Sequence, residues 1–393
     1  MQKLRFLGLS ALACLVLLGL IACTGPAAPA ATPTSPPAAA TKAPAGTASA
    51  PTAAPTPAAK PSPAAQATAP ATSASGGKLA TVRFGSSGVV SDAGVFLGIE
   101  KGYFKEAGLD VQTQVIGSGP LIIAPLAAGD LEVGGGVINP GLLNANDRGI
   151  TMKIVGTKGS SRPGFEFSRI TVRKDLIDSG KVKEVKDVKG MTIAVPSLKS
   201  GAEAQVEYFM EQAGLSSSDV NLVVLAFPDM IGAYSNKAID LAVQTEPTLN
   251  TTVEQGLAVR WPPGAMSMFY GTGDYQASTL LFSDAFMKNG DLARKLMVGY
   301  IKGIRDYNNA FVKGQNKSDV ISILTKYSEK DPNLYSKMEM PHLDPDGKIN
   351  VPSMQKDYDY FKKMGYYTGS IQLPTLIDSQ YLDYAGQQLG PYK

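Results

Sequence analysis

From Thr24 to Gly77 the chain runs for 54 residues on little but Pro, Ala, Thr, Ser and Gly. The stretch takes 12 of the 27 prolines, holds no aromatic residue and has two charges, Lys42 and Lys60. It has too little apolar surface to offset the entropy of ordering its backbone, so no core is expected there. Whatever folds must be built from residues 78–393, a body near the size at which one hydrophobic core divides into two.

The residues before this stretch read as an address. Lys3 and Arg5 lead into Phe6–Ala22, 17 residues without a charge. That is short of the ~20 a spanning helix needs and suits a secretory signal. The run ends Leu20-Ile21-Ala22-Cys23. Apolar, small, then cysteine resembles the bacterial lipobox, whose cysteine receives a diacylglycerol and becomes the first residue of the mature chain. The resemblance predicts a signal peptide over 1–22, lipidation at Cys23, and a tether over 23–77 that lifts a head off a membrane. As a coil the tether reaches roughly 40 Å. The blander alternatives are a cleaved signal with a chance cysteine, followed by a low-complexity tail.

The composition of the body narrows its chemistry. Of 37 bases and 34 acids, four bases (Lys3, Arg5, Lys42, Lys60) and no acid precede residue 78. The body therefore has 33 bases against 34 acids, a net charge of −1, which argues against nucleic acid as a partner. His342 is the one histidine, which disfavours His-based triads and His metal sites. Cys14 and Cys23 are the only cysteines, so the body has no disulfide and no thiol nucleophile. No cofactor and no metal are expected. Asp344-Pro345-Asp346-Gly347 resembles part of a calcium loop, but its glycine is misplaced and the closing Glu is missing, so it reads as a turn.

Residues 78–260 alternate short β-rich runs with helical patterns. Leu79–Phe84 is a strand, and a helix follows over Val95–Lys101, closed by Gly102. Leu109, Val111, Thr113 and Val115 alternate with polar residues, the period of a half-buried strand. Gly117-Ser118-Gly119-Pro120 opens a helix to Ala128. Leu131–Val133 is a strand followed by Gly134-Gly135-Gly136; Pro140–Arg148 is a helix; Met152–Val155 is a strand. The pattern restarts after Lys189 with strands at Thr192–Val195, Leu222–Leu225 and Ile239–Val243. Asp130-Leu131-Glu132-Val133 is echoed by Asp240-Leu241-Ala242-Val243, a faint sign of two similar lobes. After Leu280–Phe282 the chain turns mostly helical. Repeated βα units predict an α/β fold with mainly parallel sheets and functional loops at their carboxyl edges.

Three stretches together resemble the solute-binding proteins of nitrate/sulfonate/taurine ABC importers. They are Gly94–Val111, with its Lys101-Gly102-Tyr103-Phe104 corner; Leu126-Ala127-Ala128-Gly129-Asp130-Leu131-Glu132-Val133-Gly134; and Val188–Pro196 continuing to Gln244-Thr245-Glu246-Pro247. The resemblance implies a two-lobed periplasmic binding protein type 2 fold, each lobe a mainly parallel sheet flanked by helices, with the cleft at the interlobe hinge. It places the first lobe over 78–168, the second over 169–276, and a return to the first lobe over 277–393. It implies a monomeric receptor, not an enzyme, that captures a small-molecule ligand and hands it to an ABC permease and its ATPase, exported and lipid-anchored at the cell membrane. A sensory lipoprotein and an enzyme related to pyrimidine synthases are the rival readings.

Candidate ligand-binding residues lie where strand ends meet helix starts. Ser87, Ser91 and Asp92 follow the first strand. Gly117, Ser118 and Gly119 present backbone N–H groups suited to an anion, or form a plain βα turn. Asn139 contacts ligand or caps a helix. Ser197, Lys199 and Ser200 make an oxyanion clamp, or a simple cap with a solvated lysine. Gln244 and Glu246 end a strand. Gly156–Arg169 reads as a loop at the first crossover. In it Lys158, Ser160 and Phe165 offer a cation, a hydroxyl and a ring to a flat or anionic ligand. Phe167 and Trp261 belong either to the cleft or to the core. The expected ligand is a small organic anion or a nitrogen heterocycle, sulfonate-like or vitamin-precursor-like.

Overall fold

The computed structural model describes residues 78–261 and 270–393. The apolar start, Cys23 and the Pro/Ala-rich stretch lie outside the described residues, as do Pro262 and Pro263.

Among the described residues ten strands form two five-stranded sheets. The strands are β1 (Ala80–Ser86), β2 (Leu109–Val115), β3 (Val133–Gly136), β4 (Met152–Ser161), β5 (Ser168–Arg173), β6 (Thr192–Val195), β7 (Asn221–Val224), β8 (Leu241–Thr245), β9 (Ala258–Arg260) and β10 (Tyr275–Ser283). The sheet orders are β2-β1-β3-β10-β4 and β7-β6-β8-β5-β9. They are one topology used twice. In each sheet the fourth place is taken by the strand arriving from the other lobe, and that strand runs antiparallel to both neighbours. The remaining pairings, β1 with β2 and β3 and β6 with β7 and β8, are parallel. The chain crosses between lobes twice, after β4 and after β9.

Each sheet is covered on both faces, and the period of two sends alternate residues to different cores. On β10, Leu280 and Phe282 enter one core while Leu281 enters the other. On β8, Leu241 and Val243 face one cluster and Ala242 the opposite one. The first lobe is finished by the returning chain. The 22-residue helix Gly290–Phe311 packs on the Ala93–Glu100 helix, and Gln380–Leu389 lies against it.

Two elements differ from the sequence expectation. The strand expected at Leu131–Val133 forms at Val133–Gly136, so the three glycines lie within a central strand rather than after it. A Cβ on Gly134 would come within 2.5 Å of Ile122 and one on Gly136 within 2.4 Å of Leu281. The neighbours fill the space a side chain would take. The stretch expected as a loop, Gly156–Arg169, is mostly strand: β4 continues to Ser161 and β5 starts at Ser168. Its extension is supported by the returning chain, which pairs Ser160 with His342 and accepts the Thr157 N–H at the Gly347 carbonyl.

Candidate functional site

Because the parallel strands of both lobes end toward each other, the helices that follow them start there too. The cleft between the sheets is open to solvent and takes in about 670 Å³, solvent space included. From the first lobe it is lined by Ser87, Ser91, Ser118, Gly119 and Lys158, and from the second by Ser197, Ser200 and Gln205. Phe167, Phe227 and Tyr275 supply aromatic wall. The Gly201–Glu211 helix starts at the wall, with Ser200, Gly201 and Ala202 bordering the space, and the unpaired N–H groups of a helix start favour electronegative ligand atoms.

One buried ion pair organises the first-lobe wall. Lys158 Nζ donates to Asp92 Oδ1 and, at 3.0 Å, to Ser91 Oγ. Both charged side chains are at most 1% exposed. Asp92 Oδ2 accepts from Ser86 Oγ at 2.6 Å and from the Ser87 N–H at 3.2 Å. The carboxylate thus fixes the β1 turn and neutralises the lysine. Gly135 makes the approach feasible, since a Cβ there would sit 2.6 Å from Lys158 Cε. An ammonium has three donors and two are used, so Lys158 retains one for the cleft.

The hydroxyls of Ser118, Ser197 and Thr245 are buried, border the same space and have no protein partner. Buried polar groups in folded proteins are nearly always hydrogen-bonded, so unpartnered ones facing a cleft suit a ligand or ordered water. Burial pushes the Tyr275 phenol well above its ordinary range, keeping it neutral.

Several sequence candidates lie elsewhere. Asp92 sits beneath the wall and does not line it. Gly117 forms the turn before Ser118 at φ +61°, a conformation that favours glycine. Asn139 is a helix cap: Oδ1 accepts from Leu142 N–H and Nδ2 donates to the Val137 carbonyl. Lys199 is exposed, its ammonium 5.4 Å from the Tyr366 ring centroid. Ser160 donates to Asp274 and meets His342 Nδ1 at 3.2 Å, and the Phe165 ring packs edge-on against His342. Burial, with Arg162 nearby, lowers His342 to about 4 and keeps it uncharged. Gln244 and Glu246 point into the second lobe. Gln244 bonds Thr252 and Thr171; Glu246 accepts from Asn250 N–H and Arg260, and burial pushes it up to about 7. Alternation along β8 explains the outcome. With Gln244 and Glu246 turned inward, Thr245 between them faces the cleft.

Sequence reading missed Gln205, Phe227, Thr245 and Tyr275. A helix start, a strand end and a crossover were visible signals for three of them; Gln205, a turn inside its helix, had none. Phe167 lines the cleft, whereas Trp261 is in the second-lobe core, edge-on to Phe209. Asp344 forms a local turn, accepting from the N–H groups of Asp346 and Lys348. Among the described residues no group of three or more His, Cys, Asp or Glu is placed to hold a metal.

Two lobes of one repeated topology around a cleft at the crossovers define the periplasmic binding protein fold. The solved structures with similar architecture agree. The nitrate-binding protein NrtA of Synechocystis PCC 6803 gives a TM-score of 0.63 at 14% identity, over 80% of this chain and 90% of that one. The alkanesulfonate-binding protein SsuA of Xanthomonas axonopodis pv. citri, solved with MOPS, gives 0.61 at 16%, over 77% and 99%. The desulfurization enzyme DSZB gives 0.52 at 14%, over 79% and 99%, so chemistry also occurs on such folds. At these identities the likeness concerns the fold alone. Residues 90–309 match the family described as NMT1/THI5 like, and the chain belongs to that family. A Brucella abortus (strain 2308) protein, provisionally named a binding protein, is 26% identical over 238 residues, which is 59% of this chain and 66% of the relative's length.

Proposed function

We propose that the protein is the solute-binding receptor of an ABC importer, capturing a small organic anion or nitrogen heterocycle by closing its lobes. The observation that carries this reading is the set of unpartnered buried hydroxyls, Ser118 from one lobe and Ser197 and Thr245 from the other, facing one cleft. A ligand bridging them is held by both lobes at once, so binding and closure are coupled. The aromatic wall suits a ring, and the start of the Gly201–Glu211 helix suits an acceptor group.

In this reading Cys23 is acylated, residues 24–77 act as the tether, and the head hands its ligand to a permease with an ATPase as a monomer. Among the described residues no helix is long and apolar enough to cross a membrane. Cys23→Ser is expected to move the protein out of the detergent-partitioning fraction without changing the melting of the head. An unmodified mature N-terminus beyond Cys23, seen by mass spectrometry of protein from its own host, would overturn the anchor.

A thermal-shift screen of sulfonates, pyrimidines, flavins and oxyanions tests the receptor. A ligand at 100 times its Kd adds about 2.7 kcal/mol of stability. Stabilisation by sugars or peptides alone refutes the ligand class. DSZB keeps an enzyme as the second reading, and turnover of a stabilising ligand by the purified protein would decide for it.

A further inference from the structure

The second turn of the Gly201–Glu211 helix sets Gln205 into the cleft wall. The residue is 3% exposed. Its Oε1 is buried and has no protein partner, and the Tyr275 phenol shares the same cleft wall. This oxygen differs in kind from the other open positions. The hydroxyls of Ser118, Ser197 and Thr245 rotate to donate or to accept, whereas an amide oxygen only accepts. A ligand made of acceptors alone, such as an inorganic oxyanion, can satisfy the three hydroxyls and leaves Gln205 unmet.

We infer that Gln205 is a specificity-determining residue: its Oε1 accepts a hydrogen bond from an N–H or O–H group of the ligand. The solute is then bifunctional, with an acceptor group held by the hydroxyls and a donor directed at the second-lobe helix. The inference rests on the receptor reading above. Discrimination of this kind is strong because a ligand lacking the donor buries the amide oxygen without a partner.

The test uses the full chain in detergent and ring pairs that differ only in a donor: 4-aminobenzenesulfonate against 4-methylbenzenesulfonate, and 4-aminopyrimidine against 4-methylpyrimidine. The same comparison is made between the best ligand of the thermal-shift screen and its analogue without the donor. Calorimetry is expected to give the donor-bearing member at least a tenfold lower Kd. Gln205→Met, of similar length but without the acceptor, should bring the ratio within twofold, with the donor-bearing member losing affinity and the donor-less member binding at least as tightly as it binds the native chain. Gln205→Glu, which retains an acceptor, should keep the preference, and unchanged melting of both variants excludes a folding defect. Equal affinities within a pair for the native chain, as when water occupies the position, overturn the inference. So does a preference that survives in Gln205→Met, or a tight screened ligand with no donor. If no compound of any class binds, the receptor reading fails and this inference falls with it; in the preceding outcomes the receptor stands and only this inference falls.

Discussion

Asp92 and Lys158 stand 66 residues apart in the chain and meet with both side chains at most 1% exposed. Removing one member of a buried pair strands the other charge, at a cost of about 3–5 kcal/mol. Asp92→Asn is expected to lower the urea midpoint accordingly. The double variant Asp92→Asn with Lys158→Met should regain most of the loss, because no charge stays buried. A single-variant cost below 1 kcal/mol would deny the pair its organising role. Asp357 is a different case. It is fully buried, one oxygen accepts from the Tyr270 hydroxyl, and the other has no partner. Burial pushes this carboxyl up to about 7, against the opposing hydrogen bond from Tyr270. An unfolded aspartate titrates near 4, so between the two values the folded state keeps a proton that the unfolded state has lost. The contribution is complete below pH ~4, declines as pH rises, and is gone above about 7. Asp357→Asn should therefore reduce the fall in unfolding free energy between pH 5 and 8 by about 2–3 kcal/mol. An unaltered pH slope would show that Asp357 does not titrate in this range. Glu246, also raised to about 7, leaves a residual slope of the same sign.

Among the elements, the helix pair Ala93–Glu100 and Gly290–Phe311 shows how closely the returning chain is fitted. A Cβ on Gly303 would lie 2.2 Å from the Gly94 carbonyl oxygen and 3.1 Å from the Gly98 nitrogen. Backbone cannot swing aside as a side-chain end can, so Gly303→Ala must push the helices apart. Helix propensity alone favours alanine by nearly 1 kcal/mol. The expected net result is nonetheless a loss of about 1–3 kcal/mol, measured by denaturant unfolding, and a stabilised variant would contradict the packing. The helical return after Leu280–Phe282, with its 22-residue helix Gly290–Phe311, and the alternating strand Leu109–Val115 were legible because their periodicity extends over many residues. The misread elements were those where small or polar residues interrupt it. Gly134–Gly136 looked like a loop because glycine lacks an intrinsic strand preference, yet the sheet accepts it where Ile122 and Leu281 press in. Thr157 to Ser161 looked like a loop because Lys158 and three hydroxyl residues hide the apolar pattern. In the fold Thr157, Lys158 and Ser160 are buried among partners supplied by distant segments, and Ser161 is buried without one.

At the scale of the whole molecule, the returning chain also touches the second lobe near the crossovers. Glu339 sits 3.7 Å from Arg260 Nε and 3.9 Å from Arg169 Nη1, while Arg260 holds buried Glu246 at 2.9 Å. Glu339 is partly exposed and its contacts are long, so each is worth less than about 1 kcal/mol. Glu339→Gln is expected to leave unfolding almost unchanged and to shift the balance of open and closed lobes less than about fivefold. Small-angle scattering of the unliganded protein checks this. A melting temperature lowered by many degrees would instead make Glu339 part of the core. Local pattern alone determined that Thr24–Gly77 is too poor in apolar residues for a core, that the body is α/β, and that strand ends with serine and glycine were the candidates for the site. Those properties depend on composition and on periods of two and 3.6, which neighbours in sequence express. Only the tertiary structure decided which candidates share one space. Facing depends on strand parity and on pairing between segments up to hundreds of residues apart. It turned Thr245 toward the cleft and Gln244 away, tied Lys158 to Asp92, and left the Gln205 oxygen open.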